Sequence, residues 1–303
     1  MKLVVTGGTG FIGRALCQAL EDAGHELVIL TRTATSAGGA RRRFVTWQPP
    51  ASGPWQRELD GAEGVVNLAG ESIIARWTPA KKQRMADSRL NTTRALITAI
   101  NRAARRPAVL ISASAIGYYG PHGDESLDEH APPGSDFLAQ LCQQWEDAAR
   151  DAEPLGVRVV RLRIGLVLAR DGGALARMLP PFQWGLGGPL GSGRQWMSWI
   201  HRDDVIGLIR LALEDARVSG ALNATAPTPV TMRELTSTLG RVLRRPAILP
   251  VPAAALTLLL GEMAHLLLTG QRVVPAKAQQ MGYPFRYPTL EAALSACLMT
   301  SSR

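Results

Sequence analysis

Apolar residues follow two alternating rhythms through the first half of the chain. Short, nearly unbroken apolar runs occur in KLVVT (2–6), HELVIL (25–30), RFVTW (43–47), GVVNLAG (64–70), AVLISAS (108–114) and GVRVVRLRIGLVL (156–168). Each has the length and β-branched content of a buried strand. Between them lie stretches with a helical period. FIGRALCQALEDAG (11–24) sets Ile12, Leu16, Ala19 and Leu20 on one face, and Gly24 closes it. KQRMADSRLNTTRALITAINRAA (82–104) is a long helix, and DFLAQLCQQWEDAARDA (136–152) carries Phe137, Leu141 and Trp145 at four-residue spacing. Strands separated by helices predict a doubly wound α/β fold, a Rossmann-like parallel sheet covered on both faces.

The second half reads differently. Residues 172–200 are rich in Gly and Pro, HRDDVIGLIRLALEDA (201–216) and TMRELTSTLGRVL (231–243) are helical, and the chain beyond about 225 is mostly helix. The expected division is a nucleotide-binding domain of 1–165 plus about 201–225. A smaller, mostly helical lobe of 166–200 and 226–303 would hold the substrate. The apolar stretch 249–270 approaches the length of a membrane span. It contains Pro250, Pro252, Glu262 and His265, so a buried or partner-facing helix pair is expected and no membrane partner.

Glycine weakens strands and helices, so the cluster between the first strand and first helix needs a reason. The spacing is Gly7-x-x-Gly10-x-x-Gly13. A tight turn, a close backbone approach and close helix–strand packing at a helix N-terminus make a pyrophosphate site. The second strand ends at Thr31 and Arg32 with no carboxylate. A carboxylate there would bond ribose hydroxyls, whereas an arginine pairs with a 2′-phosphate, so NADP(H) is the expected cofactor.

Composition excludes several other classes. The net charge of +9 raises nucleic acid as a partner, but the arginines are scattered and the densest groups, 41–43 and 102–106, carry no interleaved aromatics. No nucleic acid is therefore expected. Three cysteines far apart, with no C-x-x-C, suggest a reducing compartment, no disulfide and no metal. MKLVV runs straight into the glycines, which fits a cytoplasmic chain without a signal peptide. GDESLDEH (123–130) reads as a solvated loop.

TGGTGFIG, VVNLAG, ISASAIGYYG, RLRIGLVL and WIHRDDV together resemble motifs of the extended short-chain dehydrogenase/reductases, the group related to nucleotide-sugar epimerases. LAGESI, SRLNTT, GLGGPLGSGRQWMSWIHRDD, GEMAHLLLTGQRVVPAKA and GYPFRYPTLEAAL are similar to the uncharacterised epimerase-like proteins sometimes labelled cell-division inhibitor. The resemblance covers nearly the whole chain. It implies cofactor contacts at Gly7, Thr9, Gly10, Phe11, Ile12 and Gly13, with Thr31 and Arg32 on the 2′-phosphate. It further implies Leu68, Ala69 and Gly70 beside adenine and ribose, Arg89 at a phosphate or ribose, and Val167 near the nicotinamide. An unknown small molecule would be the substrate, with Gln195 and Trp196 as contacts on a Gly-rich lid. A homodimer through helices near 84–104 and 137–152 is possible.

Hydride transfer in that superfamily resembles acid/base work by a tyrosine with a lysine four residues later. A phenol needs a nearby cation to serve near neutral pH. No tyrosine here has that lysine, and Phe137 stands near the expected tyrosine. The remaining candidates for catalysis are Ser114, Tyr118 and Tyr119. The expectation is an NADP(H)-binding epimerase-like oxidoreductase; the alternative is a non-catalytic redox sensor or partner-binding protein.

Overall fold

The computed structural model describes residues 1–33 and 39–299. The apolar runs form β1 (Lys2–Thr6), β2 (Glu26–Thr31), β3 (Arg42–Thr46), β4 (Gly64–Asn67), β5 (Val109–Ala115), β7 (Arg158–Ile164) and β11 (Gly220–Ala224). All seven lie parallel in one sheet of order β11-β7-β5-β4-β1-β2-β3. The order reverses at β1, so the crevice at the carboxyl ends of β1 and β4 is the topological switch point.

Helices cover both faces. α1 (Phe11–Asp22) and α5 (Arg202–Glu214) bury Leu16, Leu20, Leu208 and Ile209 against one face. α2 (Pro79–Arg102) buries Leu96 and Ile100 against the other, and α3 (Phe137–Arg150) adds Ala149. The Thr78 hydroxyl caps α2 by accepting from Lys81 N, and Asp136 caps α3 by accepting from Ala139 N. Both caps fix helix starts at the carboxyl edge of the sheet.

The run 156–168 is expected as one strand, but the chain breaks it at Gly165. A Cβ there would strike the Ser198 carbonyl. From Leu166, whose N–H donates to the Ser198 carbonyl at 2.9 Å, the chain leaves the sheet as β8 (Leu166–Ala169), which pairs with β10 (Trp199–His201). The Gly- and Pro-rich segment is more ordered than its composition suggests. It holds α4 (Gly173–Gln183), with Pro180 and Pro181 in its last turns, and β9 (Trp196–Met197), paired with β12 (Val230–Thr231).

α6 (Met232–Leu243) starts in a capping box between Thr231 and Glu234. It packs with α4 and α10 (Leu290–Met299) around Leu175, Leu179, Phe182, Leu235, Leu239 and Leu294. The stretch 249–270 forms the expected helix pair, α7 (Ala253–Leu260) and α8 (Ala264–Leu268). It is buried only at Leu256, Met263 and Ala264. Among the described residues no helix is long and apolar enough to cross a membrane.

GDESLDEH is not simply a solvated loop. Its β6 (Ser126–Leu127) pairs with β13 (Arg272–Val273), and Leu127 and Glu129 are buried. The Glu129 carboxylate accepts from Asn223 N at 3.0 Å and from the backbone N of Lys277, at the start of α9 (Ala276–Gln280), at 3.2 Å. Asp204, in the first turn of α5, is also buried. It accepts from the backbone N–H groups of Arg286 (2.7 Å) and Tyr287 (3.0 Å), so it ties the C-terminal segment to the sheet domain.

Candidate functional site: the carboxyl edge of the sheet

The glycine turn is built by close backbone approach. Gly7 has φ +68°, and a Cβ on it would lie 2.6 Å from the Leu68 carbonyl oxygen. A Cβ on Gly13 would overlap the Gly7 carbonyl. β1, the turn and the first turn of α1 therefore fit together only with glycine at both places. Gly10 begins α1 with no side-chain cap. The first N–H groups of a helix lack intrahelical acceptors, so they point into the crevice with the helix's positive end. Thr9 and Gly10 are exposed beside them. These features fit a pyrophosphate in the turn.

Phe11 and Ile12 bring only backbone to this edge. The Phe11 ring packs against Gly172 and Gly173, and the Arg202 guanidinium lies 5.3 Å from its centre. Ile12 packs into the core behind the turn. Thr31 ends β2, its hydroxyl accepting from Thr33 N at 3.4 Å, and Arg32 beyond it is exposed. No carboxylate stands at these positions.

A buried polar network sets the loop after β4, and sequence patterning gave no sign of it. The Thr6 hydroxyl donates to Asn67 Oδ1 at 2.7 Å and accepts from Ala69 N at 3.3 Å. Asn67 Nδ2 donates to Thr93 Oγ1 (3.0 Å) and to Ser112 Oγ (3.4 Å), and Trp145 Nε1 donates to Thr93 Oγ1 at 3.1 Å. β1, β4, β5, α2 and α3 are thus pinned at one point. That holds Leu68, Ala69 and Gly70 along the crevice.

Arg89 is tucked beneath that loop. Its Nη1 donates to the carbonyls of Glu71 and Met85, both at 3.1 Å, and its guanidinium lies 5.1 Å from the Trp145 ring centre. Burial lowers its pKa from the ordinary arginine value. Val167 is buried on β8.

The candidate catalytic groups fall into two kinds. Ser114 is buried and its hydroxyl donates to Glu146 Oε1 at 2.7 Å. Tyr119 is fully buried; its hydroxyl donates to Asn223 Oδ1 (2.7 Å) and accepts from Arg163 Nη1 (2.9 Å). Burial pushes the Tyr119 phenol up to about 12, even with the Arg163 cation beside it. Tyr118 is only half-buried. Its ring lies face-on to Arg163, with the guanidinium carbon 3.4 Å from the ring centre, and its hydroxyl has no partner among the described residues.

Arg163 itself turns inward. Its partner is buried Glu146, with Nε to Oε1 at 2.8 Å and Nη2 to Oε2 at 2.9 Å. Burial disfavours its charge, but the Glu146 carboxylate outweighs this and raises the pKa.

At the place where a tyrosine is expected, Phe137 packs edge-on against Trp77, with Lys82 Nζ 4.8 Å above its ring. Lys82 also pairs with Glu262 at 2.5 Å, which joins α2 to the helical lobe. Leu141, four residues on from Phe137, is buried.

Gln195 and Trp196 line an open cavity of about 540 Å³ with His122, Asp124, Glu125, Arg194 and Thr269. Trp196 Nε1 donates to Asp124 Oδ1 at 2.7 Å, and Gln195 Nε2 donates to the carbonyls of Leu190 and Leu267. Gln195 Oε1 is buried without a hydrogen-bond donor. No group of three or more His, Cys, Asp or Glu among the described residues is arranged to hold a metal.

Sheet order, glycine turn and crevice define a Rossmann-like α/β protein of the extended short-chain dehydrogenase/reductase type. The chain belongs to the NAD dependent epimerase/dehydratase family, whose model matches residues 3–224. A domain of unknown function, DUF1731, matches residues 251–297. The chain is 45% identical over 305 residues to the chloroplastic SDR39U1 homolog, an epimerase family protein of Arabidopsis thaliana, covering 98% of this chain and 87% of that one. It is 41% identical to the epimerase family protein YfhF of Bacillus subtilis, covering 97% of each. Among solved structures, human epimerase family protein SDR39U1 (isoform 2), crystallised with NADPH, superposes with a TM-score of 0.87 at 37% identity. That match covers 99% of this chain and 100% of the human one.

Proposed function

We propose that the protein is an NADP(H)-dependent oxidoreductase acting on a small molecule at the carboxyl edge of its sheet. The observation that carries the cofactor is the pairing of a capless glycine turn with Thr31 and Arg32, where a carboxylate would select NAD(H). The NADPH in the human relative's structure supports the same reading. In it, the backbone of Gly7, Thr9, Gly10, Phe11, Ile12 and Gly13 binds the pyrophosphate, and Thr31 and Arg32 bind the 2′-phosphate. Leu68, Ala69 and Gly70 line the adenosine side, Arg89 braces that loop, and Val167 backs the nicotinamide. Bound NADPH would supply a hydride. The chain would supply the proton, and Tyr118 is the acid we favour because its hydroxyl is uncommitted. Ser114 and Tyr119 would position it through Glu146 and Arg163. Gln195 and Trp196 would contact the substrate.

A binding-only role is the second reading. It is favoured by Phe137 and Leu141 standing where an acid–base pair would be needed. Three buried, unpaired cysteines suit a reducing compartment, so the cytoplasm is the location we propose.

Titration with NADPH and NADH tests the cofactor. Tighter NADPH binding is expected, and Arg32→Ala should lose roughly tenfold of that margin, the low end for a charge-assisted hydrogen bond at an exposed site. Equal affinity for the two nucleotides in the wild type would overturn it. Turnover of NADPH with a carbonyl substrate panel separates enzyme from binder.

A further inference from the structure

The helical lobe carries an exposed apolar ledge. Trp184 is 82% exposed, Leu186 62%, Ile248 77%, Leu258 79% and Leu259 71%. These residues do not lie scattered. Backbone hydrogen bonds from Leu249 N to the Gly187 carbonyl, from Val251 N to that of Pro189 and from Gly191 N to that of Val251 set 184–191 alongside 246–251. α7, which carries Leu258 and Leu259, leaves directly from that pair. Isolated exposed leucines are ordinary, but a grouped set of this size marks a contact surface.

The unpaired charge beside the ledge is cationic. Neither 172–202 nor 235–261 contains an Asp or Glu, while Arg177, Arg194, Arg202, Arg241, Arg244 and Arg245 fall within them, and Glu262, just beyond α7, is paired with Lys82. Arg202 pairs with Asp171 and Arg241 with Glu291. Arg177, Arg194, Arg244 and Arg245 have no carboxylate partner among the described residues. Arg244 and Arg245 lead straight into the ledge from the end of α6.

We propose that this ledge docks the protein on an anionic lipid surface, with α7 lying in the interface. The mode is the two-signal one, in which apolar side chains insert and unpaired cations meet anionic headgroups. Trp184 has the side chain that favours the boundary between headgroups and acyl chains. α7 has eight residues and cannot span a bilayer, so the contact is peripheral. A second copy of the chain fits worse. A twofold contact would bury the unpaired Arg244 and Arg245 of both copies in one interface, with no free carboxylate beside them. The proposal is independent of the cofactor reading.

The test is co-flotation of the full chain with vesicles of phosphatidylcholine alone and of phosphatidylcholine with about one-third phosphatidylglycerol. Flotation with the anionic vesicles only, weakened by salt, is expected. R244A/R245A should weaken it roughly thirtyfold, about fivefold for each arginine. L258S/L259S should weaken it at least about tenfold. Unchanged thermal melting shows that each variant is folded. The proposal is overturned by no flotation with anionic vesicles, or by equal flotation with neutral ones. Retention of full binding in both variants also overturns it. So does a dimer, seen by sedimentation without lipid, that L258S/L259S dissociates, because a second copy then covers the ledge.

Discussion

Glu146 of α3 and Arg163 of β7 form a bidentate ion pair inside the protein, at 2.8 and 2.9 Å, and both side chains are 3% exposed. Ser114 Oγ donates to the same carboxylate, and Tyr119 Oη accepts from the same guanidinium. Ser114 and Tyr119, both expected from sequence as catalytic candidates, are therefore linked through one buried ion pair. Desolvating two charges is costly, and breaking such a pair costs more than the pair contributes. Glu146→Gln should lower stability by about 3–5 kcal/mol, because Arg163 is left buried beside a neutral group. Urea unfolding of the single variant and of Glu146→Leu/Arg163→Met measures it. The double variant should recover most of the loss.

Tyr118 and Tyr119 should separate turnover from folding. Tyr119→Phe removes a donor from Asn223 and an acceptor from Arg163, for a loss of about 1–3 kcal/mol. Tyr118→Phe removes a hydroxyl with no partner among the described residues, so melting should hold while any NADPH oxidation falls by about a hundredfold or more. Thermal melting and steady-state rates on the two variants check this. A Tyr118→Phe enzyme at full rate removes Tyr118 as the acid.

Gly13→Ala should abolish nucleotide binding. The added Cβ overlaps the Gly7 carbonyl, so α1 must move away from the turn. Overpacking of this kind costs about 1–3 kcal/mol. Calorimetric titration with NADPH, alongside a melting curve showing a folded protein, is the measurement.

His201 should make stability depend on acid pH. It is buried and caps α5 by accepting from Asp203 N through Nδ1, which requires the neutral ring. Burial lowers its pKa below the ordinary 6.5, although Asp203 and Asp204 pull the other way. The unfolded chain then takes up a proton before the folded one does. The stability is fully present above about pH 6.5 and declines as pH falls towards the lower folded value. His201→Asn keeps a capping side chain without titrating there, and its melting temperature should fall less between pH 7 and pH 5.

The sequence alone determined the parallel α/β fold and the glycine turn. Both are local matters. Strand and helix follow from the spacing of apolar residues along the chain, and the positive φ of Gly7 and the contact of Gly13 with the Gly7 carbonyl arise within a turn only seven residues long. The lack of a carboxylate after β2 is legible in the same way, because the ribose position is fixed by the strand end. Tertiary structure decided the rest. Asn67, Thr93, Ser112 and Trp145 come from four separate elements, and only their packing makes one network. Glu146 looks like a surface residue of an amphipathic helix until β7 brings Arg163 against it. Glycine at 165 is required by the Ser198 carbonyl, 33 residues away, which no local pattern encodes. Apolar spacing reports which face a residue turns inward, but a polar side chain's partner depends on which elements the fold sets side by side.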